Sequence, residues 1–206
     1  MERSERKERE CQSRRAEVLR QAERIFSAKG FRAATMAEIA GASGYAIGTI
    51  YQIFEGKEHL YTTMVNEKIE RMFSCIREAV GRADTVKGKI EALVAAHFRF
   101  VEDNADFCRL FVLGESMALP EGITRLNDKM IANYLDHSLF IEDFIARGIE
   151  SGDLKPMEPK AAASALLGMI NAFTFNCVVT PGGTPLSAAV GVVMDIFLKG
   201  VAGHEY

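Results

Sequence analysis

The stretch IAGASGYAIGTIYQIF, Ile39–Phe54, runs for sixteen residues without a charged side chain, in a chain that is 26% Asp, Glu, Lys and Arg. It is not uniformly apolar, since Gly41, Gly44 and Gly48 punctuate it, with Ser43, Thr49, Tyr45, Tyr51 and Gln52 between them. Its apolar residues recur at helical spacing, not in alternation. Upstream, Thr35 and Glu38 stand three residues apart, the pair that forms a capping box where a helix begins. The reading is a short helix, MAEIAGA, then a turn at Ser43–Gly44, then a second short helix over about Ala46–Ile53. Ala40 is small where two helices cross closely, and Gly44 provides the positive φ that the turn needs. Ile50, six residues on, is placed to pack back. The pattern is a helix-turn-helix spanning about 35–54.

A helical wheel gives the second helix two faces. With Ile50 at the centre, Ala46, Ile47, Ile53 and Phe54 gather on its side at 100° per residue. Gly48, Thr49, Tyr51 and Gln52 fall opposite. The outer face is therefore small, polar and neutral. A mid-helix Gly is unfavourable by about 1 kcal/mol relative to Ala, so Gly48 points to close approach of something large. A helix that enters a DNA major groove needs short hydrogen-bonding side chains and no carboxylate. Gln52 can donate to and accept from adenine, Thr49 can bond a base edge or a phosphate, Tyr51 can reach a phosphate, and Ile47 can lie against a thymine methyl. Cations come from the flanks, from Lys57 and from the charged residues up to Arg14 and Arg15. The amide N–H groups at Thr35–Ala37 suit a phosphate. The bland alternative is a small helical subdomain with a neutral surface.

Outward from this pair the periodicity stays helical and no run of period two appears. Helices read at about Arg14–Lys29, ended by Gly30, and at Lys57–Val80, Thr85–Glu102, Ala105–Gly114, Glu121–Ser151, Pro159–Val179 and Pro185–Val201. With the short pair this makes an all-α chain of about nine helices. An N-terminal three-helix domain is expected over 1–57 and a larger helical domain over 58–206. GDLKPMEP at 152–159 is the clearest linker.

Composition excludes little by itself. Net charge is −3 over 206 residues, but residues 1–60 carry +2 and the remainder −5, a weak pointer to a polyanion partner at the head. The four cysteines are scattered with no zinc-like spacing, as in a reducing compartment. No GxSxG, HExxH or phosphate-loop motif is present, so no enzyme, metal site or cofactor is expected. Ala161–Met194 is free of charge and long enough to cross a bilayer, but Ser164, Asn171, Asn176 and PGGTP at 181–185 interrupt it. A membrane-associated helical protein is thus a rival reading.

The run VLRQAERIFSAKGFRAATMAEIAGASGYAIGTIYQIFEGKEHL, Val18–Leu60, resembles the tetracycline-repressor (TetR) family of bacterial regulators. AKGF, TMAEIA, GTIY and F-x-x-KE-x-L follow the family pattern without a gap. The resemblance implies a cytoplasmic transcriptional repressor, nucleoid-associated when DNA-bound, that binds a palindromic operator as a homodimer and is released by a small-molecule effector. It implies DNA contacts at Thr35, Met36 through its backbone, Ala37, Ala46, Ile47, Gly48, Thr49, Tyr51, Gln52 and Lys57. It also implies a dimer interface through the last two helices, about 159–179 and 185–201, where Gly168 and Gly191 permit close approach. Three positions depart from the pattern. Ala46 replaces a capping Ser, Ile53 an aromatic or His, and Gly56 a small polar residue. A relative with weakened DNA binding is therefore a second alternative.

For the larger domain the expectation is a mainly hydrophobic effector. Its plentiful Phe and Met, without clustered Lys or Arg, fit an apolar pocket. The candidate lining is His97, Phe111, Tyr134, Phe144, Asn171 and Phe175.

Overall fold

The first helix, α1, runs Glu2–Ala33 and is far longer at its start than periodicity predicts. The residues before Arg14 are charged and long-chained, types that favour helix, and they make i,i+4 contacts such as Arg6 Nε to Glu10 at 3.0 Å. Arg14 and Arg15 therefore project from a helix rather than from a loose arm. Gly30, with φ 77 and ψ 167, breaks the helix where a stop is expected.

The computed structural model describes residues 2–112, 124–180 and 182–201, with side chains for 5–112, 128–180 and 182–200. The other helices are α2 (Met36–Ser43), α3 (Ile47–Tyr51), α4 (Lys57–Gly81), α5 (Val86–Asp103), α6 (Ala105–Val112), α7 (Thr124–Glu150), α8 (Pro159–Val179) and α9 (Leu186–Val201). No β-strand element occurs among the described residues. The chain is all-α, as its periodicity predicts. The expected starts of α7 before Thr124 and end of α6 after Val112 lie outside the described residues.

Two compact units divide the chain. One comprises Met1–Lys68 with Arg109–Leu126, and the other Ile69–Cys108 with Asn127–Tyr206. The division falls inside α4, later than the expected break before residue 58. The cause is packing. Tyr61 on α4 is edge-on to Phe26 and Phe31, with ring centroids 5.2 and 5.1 Å away, and Leu60, Met64 and Val65 are buried with it. Lys68 closes the first unit by bonding Glu23 at 2.7 and 2.9 Å.

In the second unit α5, α8 and α9 pack together. α5 buries Leu93, Val94 and Phe98, α8 buries Leu166, Leu167 and Ile170, and α9 buries Val193, Met194 and Phe197. α8 opens as its sequence predicts, with Pro159 in the first turn and the Glu158 carboxylate accepting from the Lys160 and Ala161 amides. By length and composition α8 could cross a membrane, with mean hydropathy 1.6 over its most apolar window. One side of it is spent on α5 and α9, and the other presents Ser164, Gly168, Asn171, Phe175 and Asn176.

Candidate nucleic-acid interface

α2 is fixed at both ends by its own sequence. Thr35 Oγ1 accepts from the Glu38 amide at 3.2 Å, and the Thr35 amide donates to Glu38 Oε2 at 3.1 Å. Glu38 also pairs with Lys29. That ammonium first, then the Thr35 amide and hydroxyl, hold its carboxyl below the usual glutamate range. At the other end Gly44 adopts φ 73, ψ 18. The Tyr45 amide donates to Ala40 O and the Gly44 amide to Gly41 O, at 3.2 and 3.3 Å. This is a Schellman closure, which needs the left-handed residue that Gly44 provides.

The turn delivers α3 with Ile50 fully buried and Ala40 beneath it almost so. Ile47, Gly48, Tyr51 and Gln52 are exposed, and Thr49 is half-buried. Ile47 and Tyr51 remain 43% and 52% exposed although large and apolar. Apart from its own helix and chain neighbours, no atom of the described residues lies within 4 Å of a Cβ added at Gly48. At the start of α2, Thr35 and Ala37 are exposed while Met36 is buried. Only Met36's backbone amide, which no helical carbonyl can take, faces outward chemistry.

Two expectations need correction. α3 is five residues long instead of eight, since Gln52 and Ile53 continue only as a turn, although Phe54 N still bonds Ile50 O at 2.8 Å. Ala46 gives no side-chain cap, and Gly48 with β-branched Ile47, Thr49 and Ile50 lowers helix propensity. Ala46 has φ −62, ψ 141, already suited to a cap. Ala46→Ser should therefore stabilise α3 by about 0.5–1 kcal/mol and tighten operator binding a few-fold. Amide exchange of the Gly48–Thr49 pair and a gel shift check both parts.

The second correction concerns Lys57, read from sequence as a flanking cation for phosphate. Its Nζ donates to Arg32 O at 3.2 Å and Ala34 O at 3.0 Å, and lies 4.6 Å from the Phe31 ring centroid. Two of its three donors thus tie the α1–α2 corner to the start of α4. Lys57→Ala should weaken binding to all DNA sequences alike and also lower stability by about 1–2 kcal/mol. Thermal melting beside a gel shift on specific and random duplex separates the two losses.

Arg14 and Arg15 are likewise held. Arg14 sits 5.7 Å from the Tyr45 ring centroid, and Arg15 pairs with Glu67 and lies 5.8 Å from the Phe54 ring. Tyr45, in the turn beside Ala46, is a partner of Arg14 that the wheel missed because a turn residue has no helical phase. Sequence could have flagged it only as a bulky aromatic next to Gly44.

The six candidate effector-pocket residues differ in exposure. His97 and Phe144 are buried and Phe111 is half-buried, but Tyr134 is 46% exposed, Phe175 51% exposed and Asn171 exposed. Residue type suggested that set, but the direction in which each helix turns its faces decides lining. Among the described residues no group of three His, Cys, Asp or Glu could hold a metal ion.

The model of the bacterial regulatory proteins of the tetR family matches residues 18–64, which contain all of α2 and α3. The fatty acid metabolism regulator protein of Bacillus subtilis is 21% identical over 186 residues, covering 90% of this chain and 94% of its own. The fatty acid degradation regulator FadR from Bacillus halodurans has the same fold, with TM-score 0.76 and 24% identity, over 90% of this chain and 98% of that one. So does FadR from Bacillus subtilis in complex with stearoyl-CoA, with TM-score 0.78 and 20% identity, over 90% and 98%. The capped α2, the left-handed Gly44 and the neutral outer face of α3 all lie inside the matched segment, so residues 18–64 carry the N-terminal segment of the TetR family of bacterial regulatory proteins.

Proposed function

We propose that this chain binds a palindromic operator as a homodimer, represses transcription in the bacterial cytoplasm, and releases DNA when a small, mainly apolar effector occupies its larger unit. The observation that carries the DNA reading is the outward quartet of Ile47, Gly48, Tyr51 and Gln52 set opposite buried Ile50. It offers a hydrogen-bonding surface without carboxylates, with an open approach at Gly48. Thr49, Thr35, Ala37, Ala46, the Met36 amide and Lys57 complete the contact set. Gln52 reads a base edge, while Lys57 and the start of α2 position the head on phosphates. A gel shift on the upstream region of the gene itself, at two salt concentrations, tests this. Retention should fall steeply as salt rises, and salt-independent or absent retention would refute it.

The dimer reading is supported by the outer faces of α8 and α9. Phe175, Val179, Val192 and Ile196 are all 43% exposed or more, and Gly168 and Gly191 have open space where a Cβ would stand. So large an apolar stripe on two adjacent helices suits a twin subunit. Phe175→Ala should weaken self-association by about tenfold, read by sedimentation, while leaving the subunit's melting unchanged because Phe175 buries little within it.

The effector reading is supported by the relatives, one named for fatty acid metabolism and one solved with stearoyl-CoA. A second reading, weak DNA binding, is favoured by the uncapped Ala46 alone. A strong, salt-sensitive gel shift by the unaltered chain would remove that reading.

A further inference from the structure

We propose that the groove between α4 and α7 is a subsite for a neutral, planar amide group carried by the effector. The inference rests on the reading of the second unit as effector-responsive, and it identifies a chemical handle there.

Two ion pairs bracket the groove. Glu70 pairs with Lys129 at 2.6 Å, and Arg77 pairs with Asp136. Both pairs join residues at the same sequence offset, so α4 and α7 run side by side in the same direction here. Between the clasps lies a cavity of about 260 Å³, lined by Glu70, Phe73, Ser74, Arg77, Asn133 and Asp136. A whole drug-sized ligand usually occupies roughly 300–1,000 Å³, so this volume suits one group of a larger molecule.

Its polar atoms specify that group. Arg77 Nε and Asn133 Nδ2 are buried, and neither has a hydrogen-bond partner among the described residues. Buried donors left unpaired are unfavourable, so an acceptor from outside would be stabilised there. The Arg77 guanidinium is held in place by Asp136 and by the Phe140 ring, 5.5 Å from its centroid. Facing these donors are acceptors, the carboxylates of Glu70 and Asp136. An anion would meet both carboxylates, and a cation would meet Arg77 with Lys129 close behind. A neutral group with a carbonyl for Arg77 and Asn133 and an N–H for a carboxylate satisfies all of them. Phe73, stacked on His137 with centroids 4.2 Å apart and 19° between planes, gives the flat group a rigid wall.

Benzamide, benzoate and benzylammonium share one size and differ in charge, so they serve as probes on the full-length protein. The readout is the NMR signal of the Asn133 side-chain amide and of Arg77 Nε–H. Benzamide should shift both with a dissociation constant on the order of 1 mM, and the two ions should bind at least about tenfold more weakly. Asn133→Leu removes one donor, and Arg77→Lys keeps the cation but loses the Nε–H fork. Each should weaken benzamide about tenfold with melting as in the unaltered chain. Equal binding of the three probes, no shift with benzamide, or full affinity in both variants would overturn the subsite. The operator gel shift without any probe is independent of it. Retained DNA binding with no benzamide response refutes the subsite alone, whereas a benzamide response without DNA binding upholds the subsite and refutes the regulator mechanism.

Discussion

Gly48→Glu should abolish operator binding and leave the protein folded. The fold has room for the side chain, because no atom of the described residues beyond its own helix and chain neighbours lies within 4 Å of a Cβ built at Gly48 and the residue is exposed. Helix propensity favours Glu over Gly by about 0.5 kcal/mol, and a carboxylate in the first turn of α3 also suits the helix dipole. Melting should therefore be unchanged or slightly higher. On DNA the same carboxylate would be pressed against base edges and phosphates. An unpaired buried charge costs about 3–5 kcal/mol, which is roughly two to four orders of magnitude in affinity, and the proposed dimer would bear it in each half-site. Fluorescence anisotropy with labelled operator, beside a thermal melt, reads both quantities. If the variant bound operator as the unaltered chain does, α3 would not be the element in the groove. If it unfolded, Gly48 would serve packing rather than approach.

The second large effect is on stability in acid. His97 and His137 are 7% and 2% exposed. Burial, and then the charge of the other histidine, lowers the His97 pKa from 6.5 to about 4. Burial, then Arg77, with Asp136 opposing, lowers that of His137 from 6.5 to about 4. Both rings are neutral in the folded chain at pH 7 and take up protons more readily when it unfolds. Stability from this source is thus complete above about pH 6.5, falls as pH drops, and levels off near pH 4. The integrated loss is on the order of 3 kcal/mol for each ring, large against a typical total of about 5–15 kcal/mol. His137 gives the cleaner test. Neither of its ring nitrogens has a hydrogen-bond partner among the described residues, and its ring stacks on Phe73. His137→Phe keeps the stack and strands no polar group, so it should flatten the slope between pH 6.5 and 5, above the range of ordinary carboxylates. Denaturant unfolding at pH 7, 6 and 5 measures this. An identical slope in the variant would mean that the proton is taken up elsewhere.

Much of the head was legible in the sequence. Thr35 with Glu38, Gly44 at the turn and the phase of Ile50 are local signals, and capping, a left-handed turn and amphipathicity act within a few residues. Lys57 and Arg15 were not legible in this way. Each looked like a surface cation, and each has partners distant in sequence, Lys57 at Arg32 and Ala34, Arg15 at Glu67. A long cationic side chain can reach water or a carbonyl equally well, and sequence does not choose between them.

In the larger unit the balance reverses. By itself the sequence determined the helices, their starts near Thr85 and Pro159, and the charge-free character of α8, because these depend on neighbours along the chain. Only the tertiary structure decided that Tyr134, Asn171 and Phe175 turn outward while His97 and His137 turn in, and that Arg77 and Asn133 border one cavity. It also explains Gly148, where a Cβ would lie 2.8 Å from a Val86 methyl. Which face of an amphipathic helix meets which neighbour is fixed by the packing of all the helices at once, and a helix with apolar residues on two sides carries no local mark of the side that will be covered.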